Sequence, residues 1–473
     1  MSFNSYEFIL LFLPITLSLY YIATSYGGRK PGKWVLLLAS VVFYAYYDIR
    51  CLGLLLTISL LNYGFSIYLQ RSPKKATLVC GILLNIFILA FFKYFTVLTD
   101  TISTVLSKGL SLNVLFPLGI SFLTFQQIAY LTDIYRQEVP TYCFSEYILF
   151  AVYFPKIAQG PIIYHNEFFP QLQTLPHRPC GDSITKGLYS FAIGLGKKVL
   201  LAELLGKIVD YGHSSIATLT SLEAILVILA YTFQLYFDFS GYCDMAVGVS
   251  QLFGITLPQN FNSPYKALSI DDFWKRWHIT LTRFLTKYIY IPLGGNRKGA
   301  IRTYANILIV FVISGIWHGV GLPFLFWGLL HGFAQMLSRI FKKSYSKFPK
   351  ILQWLSTFVF LNVTWVYFRS TSLNNAHKLF SRVLSGGFTI NAELAEALRQ
   401  NTFISAFAQF VPMAYILIGL MCLCMSITLF PPNTATLTNR FCPKIGNLIF
   451  TLLLLVLSIL SLSGVGGFLY TNF

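Results

Sequence analysis

Long apolar stretches recur along almost the whole chain, and only short polar segments interrupt them. Of the 473 residues, 55% are hydrophobic and 11% are charged, whereas a typical soluble domain carries about 25% charged residues. So few charges cannot cover a water-exposed surface, which predicts a multi-pass membrane protein. The net charge of +18 does not indicate a nucleic-acid partner, because the lysines and arginines lie in short loops between the apolar runs.

The length of these runs predicts an all-α polytopic membrane fold, in one domain over residues 1–473. Runs long enough to span a bilayer occur near 6–25, 34–49, 51–70, 77–99, 184–206, 219–238, 304–320, 322–341, 351–368, 404–430 and 446–467. The stretches 103–131 and 145–163 are broken by proline or polar residues, so they are candidates for re-entrant segments. Counting such partial spans, we expect about eleven to thirteen membrane helices.

Basic loops predict the orientation, because cytoplasmic loops of membrane proteins carry an excess of Lys and Arg. Such loops occur at 27–33, 71–75, 342–350 and 439–444. Counting helices from them places both termini outside. No basic region precedes the first apolar run, so we interpret that run as a retained helix rather than a cleaved signal peptide. The polar segment 370–402 is expected to be external amphipathic helix.

Two aspartates lie in an otherwise apolar stretch, QLYFDFSGYCDMAVGVSQ. Asp238 and Asp244 flank Gly241, and helical spacing does not place the two carboxylates on one face. A paired-carboxylate acid–base role is therefore weakly supported. The structural interpretation is favoured, in which the aspartates cap broken helices or pair with cations of the basic segment 271–299.

That basic segment has two interpretations of its own. It is either an interfacial helix whose cations reach the lipid surface, or a binding site for a phosphate-rich ligand at the cytoplasmic face. Its cations are Lys275, Arg276, Arg283, Lys287, Arg297 and Lys298.

Three histidines are a further polar feature of the apolar part of the chain, after the two aspartates and the basic segment. His278 lies in the basic segment, and His318 and His331 lie in GIWHGVGLPFLFWGLLHG, which contains no Asp, Glu, Lys or Arg. A histidine in such surroundings costs free energy unless it is hydrogen-bonded or used. The eight cysteines are scattered, so neither a zinc site nor a disulfide framework is predicted. Composition leaves an intramembrane enzyme, a transporter and a channel open, although the internal repeat that is typical of transporters is not seen.

Several ordered motifs narrow this choice. The motifs are FWKRWHITLTRFLTKYIYIPLGGNRKG, GIWHGVGLPFLFWGLLHG, FDFSGYCDMAVG, NFNSPY and FPKIAQGPI. Together they resemble the membrane-bound O-acyltransferase (MBOAT) family, in its bacterial alginate and peptidoglycan O-acetyltransferase branch. The similarity runs over essentially the whole chain. Two positions depart from the family pattern: Leu322, where relatives usually have Trp, and Cys243, where they usually have Ser.

The resemblance implies a helical body around a central tunnel, in which a cytoplasmic acyl donor meets an extracytoplasmic acceptor. It implies that His318 is the catalytic histidine and His278 the second family histidine. His331 matches no motif, and we expect it to be a hydrogen-bonded structural residue. A neutral imidazole at His318 would accept the acceptor's hydroxyl proton and return it to the departing thiol. The residues expected to bind the substrates are Trp317, Arg276, Trp277, Asn262, Asp244 and Lys298.

The resemblance also implies acetyl-coenzyme A as the donor, with no metal and no bound cofactor. The protein is expected in the bacterial cytoplasmic (inner) membrane, where it would acetylate an envelope polysaccharide such as peptidoglycan or alginate. An extracytoplasmic SGNH-type transferase or esterase-like protein is the expected partner. The alternative is a non-catalytic polytopic transporter or scaffold of a polysaccharide-modification complex.

The C-terminal hexapeptide FLYTNF has the form Phe-x-Tyr-x-x-Phe and resembles the tyrosine-bearing partner peptide of the D-alanyl transfer system. This resemblance implies that Tyr470 is an acyl relay. The alternative is an aromatic belt that closes the last helix.

Overall fold

A computed structural model describes residues 1–106, 116–384, 386–399 and 401–462, and these residues form helices and no strand. Tyr470 lies outside the described residues, as does the part of the candidate re-entrant segment 103–131 between 107 and 115. The first helices are α1 (Glu7–Gly27), α2 (Arg29–Tyr47), α3 (Ile49–Arg71), α4 (Lys75–Leu106), α5 (Ile120–Tyr135), α6 (Phe144–Val152), α7 (Phe154–Ile157) and α8 (His165–Gln173).

The middle of the chain carries the helices that surround the histidines. They are α9 (Gly181–Gly196), α10 (Glu203–Ser214), α11 (Ser221–Leu252), α12 (Ile270–Trp274), α13 (Ile279–Leu285) and α14 (Gly299–His318). Two π-helical turns, Lys197–Ala202 and Thr286–Tyr290, extend α9 and α13.

The last helices are α15 (Leu322–Ile340), α16 (Lys342–Tyr345), α17 (Lys350–Arg369), α18 (Leu373–Val383), α19 (Ala392–Arg399), α20 (Thr402–Ala408), α21 (Met413–Leu429), α22 (Thr434–Asn439) and α23 (Ile445–Leu460). The predicted helical structure in the segment 370–402 corresponds to α18 and α19. In α18, Ala376 and Leu379 are buried while most of the remaining side chains are exposed or half-buried, as in an amphipathic helix.

Within the described part of the chain, six helices are long and apolar enough to cross a membrane: α1, α3, α4, α11, α14 and α17. Two shorter apolar helices, α21 and α23, follow. The predicted fold class, an all-α polytopic membrane protein, is therefore confirmed. Large apolar side chains such as Leu83 and Phe87 on α4 remain exposed on the outer surface of the body, as expected where a helix faces lipid.

The centre of the body is α11, which is buried along most of its length. Thr220 caps it, because the Thr220 side chain and Glu223 form reciprocal hydrogen bonds with the first turn. A Cβ atom added at Gly194 of α9 would lie 2.6 Å from the carbonyl oxygen of Gly241 on α11. Glycine therefore lets the two backbones touch, and α11 runs unbroken through Gly241. The expectation that Asp238 and Asp244 cap broken helices is wrong.

Between Tyr153 and Gln173 the chain forms two short helices, each with a proline, in place of one continuous helix. Lys156 of α7 is fully buried, and its ammonium group donates to Gln126 Oε1 at 2.7 Å and lies 4.1 Å from the ring centroid of Phe150. The neighbouring Gln127 accepts from the Tyr147 hydroxyl at 2.5 Å. The paired glutamines thus hold α5 against α6 and α7.

Candidate active site

His318 is the last residue of α14, at a point where α14, α15 and α17 meet. Its side chain is 3% exposed. Its ring centroid lies 4.7 Å from Trp317, 5.1 Å from Trp327 and 5.2 Å from Phe368. An aromatic wall therefore surrounds the imidazole and excludes bulk water from most of its surface.

Two side chains of α4 hold the end of α14 in place. The last carbonyls of a helix have no partner within the helix. Here the Tyr94 hydroxyl donates to the Ile316 carbonyl at 2.5 Å, and the Lys93 ammonium donates to the Trp317 carbonyl. A cation at a helix C-terminus is also favourable to the helix dipole. Lys93 and Trp317 both line an apolar groove of about 580 Å³ between α4, α5 and α14.

His278 lies immediately before α13 and has a left-handed backbone, with φ 45° and ψ 50°. This conformation is uncommon for a residue other than glycine. The imidazole is fully buried, 4.8 Å from the ring of Phe239 and 6.4 Å from that of Trp317. The two predicted histidines therefore both contact Trp317, and the fold brings them into one site.

A polar cavity of about 290 Å³ approaches His278 from the side of α22. Asn260, which lines this cavity, lies 3.2 Å from His278 (Oδ1 to Nδ1). The cavity lies beside the loop 439–444, one of the basic loops that predict the cytoplasmic face. Other lining residues are Lys197, Ser240, Cys243, Asp244, Asn433 and Thr434.

Asp244 and Asp238 take their partners from the turn that extends α9. Asp244 accepts from the Lys197 ammonium at 2.7 Å and Asp238 from the Lys198 ammonium at 2.7 Å. Asp244 also accepts from the Thr434 hydroxyl at 2.7 Å. Both aspartates are ion-paired, but their partners are Lys197 and Lys198 and not the expected cations of the basic segment. Substrate binding by Asp244 stays a prediction. The actual lysines adjoin Gly196, close to where α9 touches α11.

Most cations of the basic segment are already paired. Arg283 forms two hydrogen bonds of 2.7 Å with Glu167, and Lys287 lies 3.0 Å from Asp133. Lys275 and Arg276 pair with the aspartates one turn earlier in the chain, Asp271 and Asp272. Lys298 is exposed at the start of α14. A phosphate-rich ligand would therefore meet exposed cations at the end of the segment, around residues 297–298, more readily than in its middle.

Two other predicted binding residues, Trp277 and Asn262, make their ring and hydrogen-bond contacts with residues other than the two histidines. Trp277 is 1% exposed and packs against Phe261 and Trp365, with centroids 5.0 Å and 5.2 Å away, so it is part of the core. Asn262 accepts from the Asn433 side chain at 2.7 Å, near the polar cavity. Among the sequence-predicted set, Trp317 alone contacts both histidines.

His331 is fully buried and hydrogen-bonded through both ring nitrogens. Its Nδ1 lies 3.2 Å from the indole nitrogen of Trp274, and its Nε2 lies 3.1 Å from the Thr364 hydroxyl. Because the indole is a donor only, Nδ1 accepts and Nε2 donates. The expectation of a hydrogen-bonded structural histidine is confirmed.

Sequence reasoning missed three residues that shape the site: Lys93, Tyr94 and Asn260. Asn260 is the first asparagine of NFNSPY, and only the second, Asn262, was selected. Lys93 could have been selected from the sequence, because a lysine within the apolar run 77–99 needs a partner inside the protein. Among the described residues, no group of three His, Cys, Asp or Glu side chains could hold a metal ion.

A bundle of apolar helices around two buried histidines defines a polytopic membrane protein with its candidate site inside the helical body. The model of the membrane-bound O-acyltransferase (MBOAT) family matches residues 37–377 of this chain. The chain belongs to this family, and it is therefore an O-acyltransferase.

Three relatives illustrate the range of the similarity. A peptidoglycan O-acetyltransferase of Helicobacter pylori is 41% identical over 418 residues, which cover 80% of this chain and 78% of the relative. A probable alginate O-acetylase, AlgI, of Pseudomonas aeruginosa is 33% identical over 411 residues, 84% of this chain and 77% of the relative. A teichoic acid D-alanyltransferase of Bacillus subtilis is 29% identical over 248 residues, 50% of this chain and 62% of the relative.

Proposed function

We propose that this protein transfers an acetyl group from acetyl-coenzyme A to an acceptor hydroxyl, for O-acetylation of an envelope polysaccharide outside the bacterial cytoplasmic membrane. Two relatives that match most of the chain are named for O-acetylation of peptidoglycan and alginate. The observation that carries the proposal is the placement of His318 and His278 on the same buried tryptophan. Between this enzyme and a non-catalytic transporter or scaffold, family membership favours the enzyme.

The reaction needs a base for the hydroxyl proton. We assign this role to neutral His318. As the proton leaves, the hydroxyl oxygen attacks the thioester carbonyl, the C–S bond breaks, and His318 returns the proton to the departing thiolate. The aromatic wall around His318 supports this step, because the thioester would hydrolyse in contact with water.

The polar cavity beside loop 439–444 is the proposed entry for the donor. Its volume is about 290 Å³, and through Asn260 it approaches His278 from the face that the basic loops predict to be cytoplasmic. Exposed cations of the loop 439–444, beside this cavity, would meet the coenzyme phosphates.

Release of coenzyme A tests the donor directly. Purified protein in lipid vesicles, together with its partner and a glycan acceptor, is given acetyl-coenzyme A or, in a parallel reaction, an acetylated carrier protein. Thiol release from acetyl-coenzyme A, and not from the carrier protein, supports the proposal. Turnover only with the carrier protein would show that the carrier protein is the donor. The absence of turnover with either donor would favour the non-catalytic alternative.

Tyr470 is the proposed first acceptor. A phenolic ester keeps much of the transfer potential of a thioester, so an acetyl-tyrosine would pass its acetyl group to an SGNH-type partner, which would modify the glycan. Mass spectrometry after incubation with acetyl-coenzyme A should find acetyl on Tyr470 in the wild type and not in His318→Ala. Full glycan acetylation by Tyr470→Phe with its partner would instead favour the aromatic-belt alternative.

A further inference from the structure

The side chain of Asn260 makes four hydrogen bonds around His278. Its Oδ1 lies 3.2 Å from the backbone nitrogen of Thr280, 2.9 Å from the Thr280 hydroxyl and 3.2 Å from His278 Nδ1. Its Nδ2 donates to Cys243 Sγ at 3.4 Å. Asn260 is 2% exposed, so bulk water does not compete for these bonds.

These bonds determine which atom of the amide faces His278. A backbone N–H can only donate, so the atom facing Thr280 N must be the oxygen. The Thr280 hydroxyl gives an independent argument, because it accepts from the Ile162 backbone N–H at 3.1 Å. Its single hydrogen is then free to point at Asn260. The amide oxygen, rather than the nitrogen, therefore lies against His278 Nδ1.

An amide oxygen can only accept, so His278 Nδ1 must carry the hydrogen. In the neutral ring, Nε2 then bears the lone pair. Nε2 is buried, and no hydrogen-bond partner for it is present among the described residues. The imidazole ring lies 4.8 Å from the ring of Phe239 and 6.4 Å from those of Phe122 and Trp317, measured between centroids.

Asn260 also holds the backbone at this point. Its carbonyl oxygen accepts from Ile279 N at 3.0 Å, while its side chain holds Thr280 N. Both contacts fall just after His278, whose left-handed backbone needs external support.

We infer that Asn260 is the positioning residue of the second histidine, which it holds with the hydrogen on Nδ1 so that Nε2 receives a hydrogen bond from a substrate. The inference rests on the proposed function for the identity of the substrates. The donating group is an O–H or N–H: the acceptor hydroxyl, or an amide N–H in the arm of the thioester donor. Neutral His278 therefore does not donate to the thioester carbonyl oxygen, which takes its hydrogen bond from another group.

Histidine tautomers test the inference without any turnover. Protein labelled with ¹⁵N-histidine is compared with the same sample of His278→Gln, and the signals lost belong to His278. We expect hydrogen on Nδ1 in the wild type and a mixture of tautomers in Asn260→Leu. Hydrogen on Nε2 in the wild type would overturn the inference, even if acetyl transfer occurred as proposed.

Kinetics separate positioning from a general loss of structure. We expect kcat/KM of Asn260→Leu to fall by up to about 100-fold, because a small misplacement of a group beside the reacting atoms is costly. Asn260→Asp keeps the acceptor oxygen and should recover part of it. In a His278→Gln background, Asn260→Leu should cost little more; an equal further loss would show that Asn260 does not act through His278.

Two further arms complete the design. Binding of a non-reactive thioether analogue of the donor distinguishes the two possible groups that donate to Nε2. Weaker binding to Asn260→Leu indicates the donor's N–H, and unchanged binding with a lower kcat indicates the acceptor hydroxyl.

Asn85→Leu is the matched control, because Asn85 is a buried asparagine paired with Asn62 between α3 and α4. It should lower stability and leave kcat of the folded protein unchanged. If wild-type protein releases no coenzyme A, the proposed function fails, while the tautomer measurement still decides the inference.

Discussion

The buried histidines His278, His318 and His331 have different surroundings. His331 uses both ring nitrogens in hydrogen bonds to Trp274 and Thr364. His278 uses Nδ1 on Asn260 and leaves Nε2 facing an aromatic chamber. His318 terminates α14 among aromatic rings. Because a fully bonded histidine has no nitrogen left for substrate, the arrangement assigns His331 to structure.

His331→Ala should therefore act on stability. It removes the partner of the Trp274 indole N–H, whereas the Thr364 hydroxyl keeps its hydrogen bond to the Leu361 carbonyl. Leaving a buried polar group unsatisfied costs about 1–3 kcal/mol. Thermal unfolding in detergent should show a lower midpoint. Acetyl transfer per folded molecule should match the wild type, and a large fall in that rate with an unchanged midpoint would contradict the assignment.

At the scale of helices, the site depends on how α4, α9 and α11 are placed. The α9–α11 contact requires glycine, since backbone atoms of the two helices meet at Gly194 and Gly241. The α4–α14 contact is made instead by side chains, from Lys93 and Tyr94 to the final carbonyls of α14. Both contacts fall close to residues of the candidate site.

Gly194→Val should prevent the α9–α11 contact. Its Cβ would lie 2.6 Å from the Gly241 oxygen and 2.7 Å from the Met245 nitrogen, so backbone would have to move. Overpacking costs about 1–3 kcal/mol and occasionally more, and with backbone on the opposing side we expect the upper end. The yield of monodisperse protein in detergent measures this. Gly419→Val on α21, with no atom of the described residues within 4 Å of the new Cβ, is the matched control and should behave like wild type.

Lys93→Met should lower acetyl transfer without unfolding the protein. It leaves the Trp317 carbonyl without its cationic partner, so the end of α14 that carries His318 is held less firmly. A fall in kcat of about 10-fold is expected, because small displacements of a reacting group are costly. The exposed Lys74, in the loop before α4, gives the control Lys74→Met. Equal activity of the two variants would show that Lys93 is not needed to hold the end of α14 that carries His318.

At the scale of the whole molecule, the sequence predicted the class of fold because so few charges permit only a membrane-embedded body. The motifs around His278 and His318 predicted residues that the fold brings together on Trp317. The motifs could not predict contacts between distant parts of the chain, because Lys197 is 47 residues from Asp244 and Lys198 is 40 residues from Asp238. The choice between Asn260 and Asn262 also required the fold, since two residues in one motif point toward different neighbours.

The predicted orientation can be tested with single cysteines in an otherwise cysteine-free protein. Cys442 is exposed in the basic loop 439–444, so it should be cytoplasmic. Leu384 is 87% exposed at the end of α18, on the predicted outer side. In intact spheroplasts a membrane-impermeant maleimide should label Leu384→Cys and spare Cys442, which should react only after permeabilisation. The opposite pattern would invert the proposed direction of transfer.

His318 is the proposed base for acyl transfer inside this helical body. The most direct measurement is the rate of coenzyme A release from acetyl-coenzyme A by equal amounts of folded wild type, His318→Ala and His331→Ala in vesicles that also contain the partner and a glycan acceptor. We predict release by the wild type and by His331→Ala, and none above the uncatalysed rate by His318→Ala. Release by His318→Ala at the wild-type rate would contradict the account.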